Sequence, residues 1–232
     1  MKKCPNCGFQ ANDNLQYCPV CNFMLVPQYV NPNFNNFQMA DKIYQDAWSY
    51  YCSATNFYGF QNAVNLLQQS ASMGHVPSMA LLGRCYYFGQ GVNTDYRMAF
   101  DLYSKAAMSG NALAMNGLSA CYGNGYGVPQ NSAKALEWCV KAANAGFPIA
   151  QYNLGKCYYY GNSVQFDGNK AFYWLSLAAK NGDADAMLLL GECYEQGTGT
   201  CENDQMAYYW YKAAAQNGNM EAQKRINEEY GY

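Results

Sequence analysis

One interval governs this chain: 36 residues separate Cys85 from Cys121, Cys121 from Cys157 and Cys157 from Cys193. A strict period of this size marks a stacked repeat, in which one supersecondary unit recurs along the chain. Other columns keep the same interval. Leu82, Leu118, Leu154 and Leu190 form one, and Tyr86, Tyr122, Tyr158 and Tyr194 another. Ala99, Ala135, Ala171 and Ala207 form a third, and the pairs Ala106-Ala107, Ala142-Ala143, Ala178-Ala179 and Ala214-Ala215 a fourth. Gly74, Gly110, Gly146, Gly182 and Gly218 mark the heads of the units.

Each unit reads as two helices, A and B. Ala114, Leu118, Cys121 and Tyr122 fall on one helical face. Gly125-Tyr126-Gly127-Val128-Pro129 then breaks the helix and turns the chain. Helix B follows, with Ala135, Trp138, Cys139 and Ala142-Ala143 on its buried side, and Gly146 ends it. Two helices of this length cannot bury their apolar faces alone, so every unit needs its neighbours.

These residues resemble the Sel-1-like repeat family, relatives of the tetratricopeptide repeat. The third unit carries the match: Ala150-x3-Leu154-Gly155-x2-Tyr158-x2-Gly161, then Lys170-Ala171-x2-Trp174, then Ala178-Ala179-x2-Gly182. The loop element Gly89-x-Gly91-Val92 and its counterpart Gly125-x-Gly127-Val128 match as well. The third unit departs from it with Ser163 in place of the second glycine, and the fourth with Thr200 in place of valine.

At the other end of the chain, Cys4, Cys7, Cys18 and Cys21 form C-x2-C-x10-C-x2-C, the spacing of a tetrathiolate zinc site. Each pair can wrap a tight knuckle, stiffened by Pro5 in the first and Pro19 in the second. The segment resembles the zinc ribbon, which implies two knuckles closing one tetrahedral ion. All four positions are then filled by protein, so one structural Zn2+ is expected and no open site for a water nucleophile. Zinc binding of about 10–16 kcal/mol can hold together a module too small for a core of its own.

The resemblances imply an all-α fold, a right-handed α/α solenoid of about five two-helix repeats, preceded by a small β zinc ribbon. The expected organisation is a ribbon over 1–26, an Asn/Pro-rich linker over 27–37 and the solenoid over 38–232. Its units are a degenerate first copy over 38–73, then 74–109, 110–145, 146–181 and 182–217, closed by a capping helix over 218–232. Pro27 and Pro32 with many Asn argue against a helix in the linker. Its aromatics (Tyr29, Phe34 and Phe37) are free to dock on the first repeat or to bind a partner.

The period also explains the repeat cysteines. Equivalent helices in a stack lie about 8–10 Å apart, and a disulfide needs Cα atoms within about 7 Å. The column is therefore expected to be reduced and buried as small apolar groups. Cys139 falls in a packing column with Tyr103, Leu175 and Tyr211. This usage, and an N-terminus with two lysines but no apolar run, favour a reducing cytoplasm; family habit suggests a bacterial source.

In the related repeats helix A lines a concave groove that receives a peptide or partner surface. Carried over, this picks Tyr44, Trp48 and Tyr51, then Arg84 and Tyr87, then Tyr152, Lys156 and Tyr159, with Glu192 and Glu195 in the last unit. Tyr, Trp and Arg are frequent binding anchors. A groove aromatic at one end and acidic at the other would orient a bound segment.

Composition narrows the alternatives. Lys plus Arg is 14 and Asp plus Glu is 16, a net charge of −2, which excludes a broad basic surface for nucleic acid. A nucleic-acid adaptor acting through the ribbon would rest on Lys2, Lys3, Phe9 and Tyr17. No apolar run reaches the roughly 18–20 residues of a membrane span. The single histidine, His75, stands at a mostly polar helix start, in a column with Asn111, Phe147, Asp183 and Asn219. It is expected at the surface or as a cap. With no phosphate loop and no paired carboxylates, the chain reads as a non-enzymatic scaffold for protein partners.

Overall fold

The computed structural model describes residues 2–3, 10–11, 20 and 34–229. Eleven helices fill the described residues from 34 onward: α1 (Phe34–Ser53), α2 (Phe57–Ser72), α3 (Val76–Phe88), α4 (Tyr96–Met108), α5 (Ala112–Asn124), α6 (Ser132–Asn144), α7 (Pro148–Tyr160), α8 (Gly168–Lys180), α9 (Ala184–Gln196), α10 (Asp204–Gln216) and α11 (Met220–Glu229). Near the N-terminus, β1 (Lys2–Lys3) pairs antiparallel with β2 (Gln10–Ala11), Lys2 opposite Ala11 and Lys3 opposite Gln10. Cys4, Cys7, Cys18 and Cys21 lie outside the described residues.

The chain forms two compact units, Met1–Lys141 and Ala142–Tyr232, with the boundary inside α6. In the first, α1 packs on α2, α2 on α3, α3 on α4 and α4 on α5, with α3 also against α5. In the second, α7 packs on α8, α8 on α9, α9 on α10 and α10 on α11, with α7 against α9. Hairpins thus stack through neighbouring helices, as the period requires.

Helices α3 to α10 are each 13 residues long, and helix A begins at 76, 112, 148 and 184. The glycines expected to head the units instead close the preceding helix B. At the end of α2, Gly74 has φ +85°, its N–H donates to Ala71 O at 3.0 Å, and the His75 N–H donates to Ser70 O at 3.3 Å. That is a Schellman cap, which favours glycine at its left-handed residue. The helix-A N-cap follows. Asn111, Asp183 and Asn219 accept from the N–H of Ala114, Ala186 and Ala222 at 2.8–2.9 Å.

The Gly-x-Gly loop has a packing reason beyond its turn. Gly89, Gly125, Gly161 and Gly197 are left-handed C-caps of helix A. The second glycine of each pair abuts the start of the preceding helix B. A Cβ on Gly91 would strike the backbone of Phe60 and Gln61, one on Gly127 that of Tyr96, and one on Gly199 that of Gly168. Inside three hairpins a bulky helix-B residue fills a gap left by a helix-A glycine: Tyr103 at Gly83, Leu175 at Gly155 and Tyr211 at Gly191; Gly117 instead meets Tyr103 of the preceding hairpin. The packing column read from the sequence is buried throughout, with Tyr103 at 3%, Cys139 at 6% and Leu175 and Tyr211 at 0% exposure.

Three expectations are corrected. Helix α1 starts at Phe34, inside the segment assigned to the linker; both prolines precede it, so neither obstructs its hydrogen bonds. The first hairpin departs further from the repeat than the degenerate copy expected over 38–73. Its helix A has 20 residues, and only 54–56 join it to α2, so the Gly-x-Gly loop is missing. Third, His75 occupies the N-cap position of α3 but makes no capping bond and is 1% exposed. Its ring turns inward against Phe37 and Tyr44, at centroid distances of 5.7 and 5.1 Å.

Candidate functional site

The helix-A positions read from the sequence meet in two places, one per compact unit. In the first unit Trp48 and Tyr51 project from one face of α1, one turn apart, and their rings stack at 5.8 Å and 15°. Tyr51 meets the edge of Phe60 at 5.2 Å and donates its hydroxyl proton to Gln90 Oε1 at 2.7 Å. Arg84, on the adjacent α3, holds its guanidinium carbon 5.9 Å from the Tyr51 centroid and 5.8 Å from that of Phe88. Tyr87 continues the tract, touching Phe88 at 4.9 Å, Tyr96 at 5.5 Å and Tyr126 at 5.8 Å. Tyr96 and Tyr126 stack at 4.1 Å. Burial raises the phenol pKa of both Tyr51 and Tyr87, so these hydroxyls stay neutral donors and acceptors.

Tyr44 does not belong to this face. It is 3% exposed and sits in the core with Ala47, Val64, Leu67 and Leu81. Its counterpart on α3, Ala80, is also fully buried, whereas Tyr152 in the same column is only half-buried.

In the second unit Lys156 Nζ lies 4.9 Å from the centroid of Tyr152. Burial first, then Asp185 and Asp183, push the Tyr152 phenol up to about 12. The Tyr159 hydroxyl donates to Glu192 Oε2 at 3.1 Å and Gln196 Oε1 at 3.2 Å. The acidic end expected from Glu192 and Glu195 is not an open acidic surface. Arg225 of α11 donates from Nη2 to Glu192 at 2.7 Å and from Nη1 to Glu195 at 3.2 Å. The Tyr211 hydroxyl adds a bond to Glu195 at 3.0 Å. The carboxylates are spent on fastening the last helix.

The sequence reading missed Phe88, Gln90, Tyr96, Asn124 and Tyr126. A signal for three of them exists. The residue between the paired glycines reaches back to the previous helix A, so Tyr51–Gln90 and Tyr87–Tyr126 share one 39-residue offset. The last residue of helix A does the same at an offset of 37, with Asn124 donating to the Tyr87 hydroxyl and Gln196 accepting from Tyr159.

No group of three His, Cys, Asp or Glu side chains among the described residues is arranged to hold a metal. His75 does lie between Ser78 Oγ at 2.9 Å and Asp41 Oδ1 at 3.5 Å, an acid–imidazole–hydroxyl sequence. Ser78 is 0% exposed, so no substrate reaches that hydroxyl; the arrangement ties helices together. No helix among the described residues is long and apolar enough to cross a membrane.

Stacked helical hairpins with an aromatic helix-A face define a helical-repeat solenoid protein. The chain matches the Sel1 repeat over residues 60–75, 76–111, 112–147, 148–183 and 184–219, more than half its length, and it belongs to that family. Comparison with curated proteins gives no match. Among solved structures it is similar to a Sel1 repeat protein from Oxalobacter formigenes, at 27% identity and TM-score 0.74, covering 88% of this chain and 82% of that one. It is also similar to c5321, a protective antigen of uropathogenic Escherichia coli with an SLR fold, at 28% identity and TM-score 0.71. That match covers 86% of this chain and 44% of that one. The immunity protein Pa5087 from Pseudomonas aeruginosa shares the fold, at 24% identity and TM-score 0.57, covering 84% of this chain and 70% of that one. Repeats of this family serve as protein–protein interaction scaffolds.

Proposed function

We propose that the chain is a non-enzymatic adaptor that binds a peptide or partner protein on its helix-A face, with a zinc ribbon over residues 1–26 as a structural module. The observation that carries the binding site is the tract Trp48–Tyr51–Arg84–Tyr87, which offers stacked ring faces and a cation on two rigid helices. Rigid aromatic anchors and arginine give contact area at low entropic cost. Affinity capture with wild type beside Trp48→Ala and Tyr152→Ala tests it. Loss of specific partners from either variant supports the assignment, and identical partner sets from all three proteins reject it.

One Zn2+ is assigned to Cys4, Cys7, Cys18 and Cys21. The donor set is four thiolates in two matched pairs, which suits zinc. The antiparallel pairing of Lys3 with Gln10 supports the reading, because it brings together the two ends of the segment that contains Cys4 and Cys7. Metal analysis should give one zinc per chain, lost in Cys18→Ser; a metal-free wild type rejects the site. Cytoplasmic residence is our reading of the reduced repeat cysteines Cys85, Cys121, Cys157 and Cys193. The bacterial origin of the matched structures supports a bacterial source.

A further inference from the structure

We propose that Arg84 is the recognition point for a carboxylate, so that the segment bound on the first unit's helix-A face is an acidic peptide. This deepens the adaptor reading and rests on it.

The two half-buried arginines of this fold are treated in opposite ways. Arg225 is met by two carboxylates and a phenol. Arg84 has no ion pair or hydrogen-bond acceptor among the described residues, although the Tyr51 and Phe88 rings fix its guanidinium. Its Nε is sealed from solvent without a partner, whereas the two terminal nitrogens are not sealed. The guanidinium is therefore held by two rings while its donors stay unengaged among the described residues. A guanidinium so placed has given up much of its rotamer freedom and part of its hydration, and its planar fork matches a carboxylate.

The surroundings supply no competing acid. Helices α3 and α5 contain no Asp or Glu at all, and Arg84 is their only charged residue. On α1, Asp41 faces His75 and Asp46 is exposed. The neighbouring phenol is engaged as well, since Tyr51 donates to Gln90. What remains is one cation between ring faces: Trp48 and Tyr51 on one side, Phe88 and Tyr87 on the other. That pattern fits a short segment in which Asp or Glu is flanked by apolar or aromatic residues. Charge complementarity selects this occupant over a purely apolar one.

The test uses the full-length, zinc-loaded protein and a random decapeptide display library, followed by fluorescence anisotropy on synthetic copies of the enriched peptides. The expected result is enrichment of Asp or Glu at one position. Changing that residue to its amide, or Arg84→Gln in the protein, should each weaken binding about tenfold or more. Both changes together should cost little more than either alone. Arg84→Lys should recover part of the affinity, and melting curves of both variants should stay close to wild type. Enriched peptides that lack an acid, or that bind Arg84→Gln unchanged yet lose affinity for Trp48→Ala, overturn the carboxylate assignment and leave the adaptor reading standing. A library without binders overturns both.

Discussion

His75 Nδ1 lies 2.9 Å from Ser78 Oγ, at the end of a buried chain of hydrogen bonds whose proton order is fixed. Ser70 Oγ donates to the carbonyl of Ala40 at 2.7 Å, so its one proton is committed. Ser78 Oγ must then donate to Ser70 Oγ, at 2.8 Å, and only the Nδ1–H of His75 can complete the chain. The relay joins α1, α2 and α3, and all three side chains are within 1% of full burial. Ser78→Ala or Ser70→Ala leaves a buried donor without an acceptor and should cost about 1–3 kcal/mol in urea unfolding. Hydrogen exchange should localise the loss to α1. The combined change His75→Asn, Ser70→Ala, Ser78→Ala removes the whole relay and restores an N-cap. It should return most of that stability. If the triple variant is no better than the singles, the relay is not the cause.

The second glycine of the loop element makes a different kind of prediction. Gly199 has φ +70° and would place a Cβ against the backbone of Gly168, whereas Gly182 has φ +90° with nothing within 4 Å. Gly182→Ala pays for backbone conformation alone, about 1–2 kcal/mol. Gly199→Ala must also push two repeats apart, so its loss in thermal unfolding should exceed that of Gly182→Ala by about 2 kcal/mol or more. Ser163 holds φ +64° at the equivalent place in the third unit. Ser163→Gly should stabilise by about 0.5–1 kcal/mol.

The architecture was readable because the hairpins from α3 onward meet nearly the same surroundings, so the same residue types return at each turn of the period. What escaped lay between units, at offsets of 37 and 39 rather than 36. The buried relay was legible in principle. Ser70 stands in the column of Ala106, Ala142, Ala178 and Ala214, and Ser78 in that of Ala114, Ala150 and Ala186. Two serines in alanine columns beside the single histidine of the chain mark one local polar cluster. Tyr44 was misplaced because its column, shared with Tyr152, was read as outward in every unit, whereas in the first hairpin that position turns into the core. The engagement of Glu192 needed Arg225, which lies in the closing helix, outside the repeating pattern.

That cap is held by charge. Arg225 bridges Glu192 and Glu195, whose side chains are 12% and 28% exposed. Arg225→Met keeps the aliphatic stem but leaves two neighbouring carboxylates without their cation. A loss of about 2–3 kcal/mol is expected, read as early melting of α11 by hydrogen exchange. Arg225→Lys should recover only part, since an ammonium cannot fork to both acids. Adding Glu192→Gln and Glu195→Gln to Arg225→Met should recover more, because the repulsion goes with the charges. Unchanged protection of α11 in Arg225→Met would show that apolar packing on α10 holds the cap unaided.

The cysteine column sets an alkaline limit on the fold. Burial pushes the thiols of Cys85, Cys121 and Cys193 up from 9.0 to about 12. Below pH 9 each thiol is neutral in both folded and unfolded chains, and its full contribution to stability is present. Between about 9 and 12 only the unfolded chain ionises, so stability falls as pH rises, with a limiting slope of about 1.4 kcal/mol per pH unit for each thiol. Tyr152, raised to about 12, adds a loss of the same sign at the upper end of that window. Urea midpoints measured from pH 8 to 11 should drop steeply, and a Cys85→Ala/Cys121→Ala/Cys193→Ala variant should show a shallower fall from a lower starting stability. For the same reason these three thiols should resist alkylation at pH 8 in the native protein while exposed Cys201 reacts. Equal labelling of Cys85 and Cys201 without denaturant would mean that the hairpins open far more readily than their packing implies.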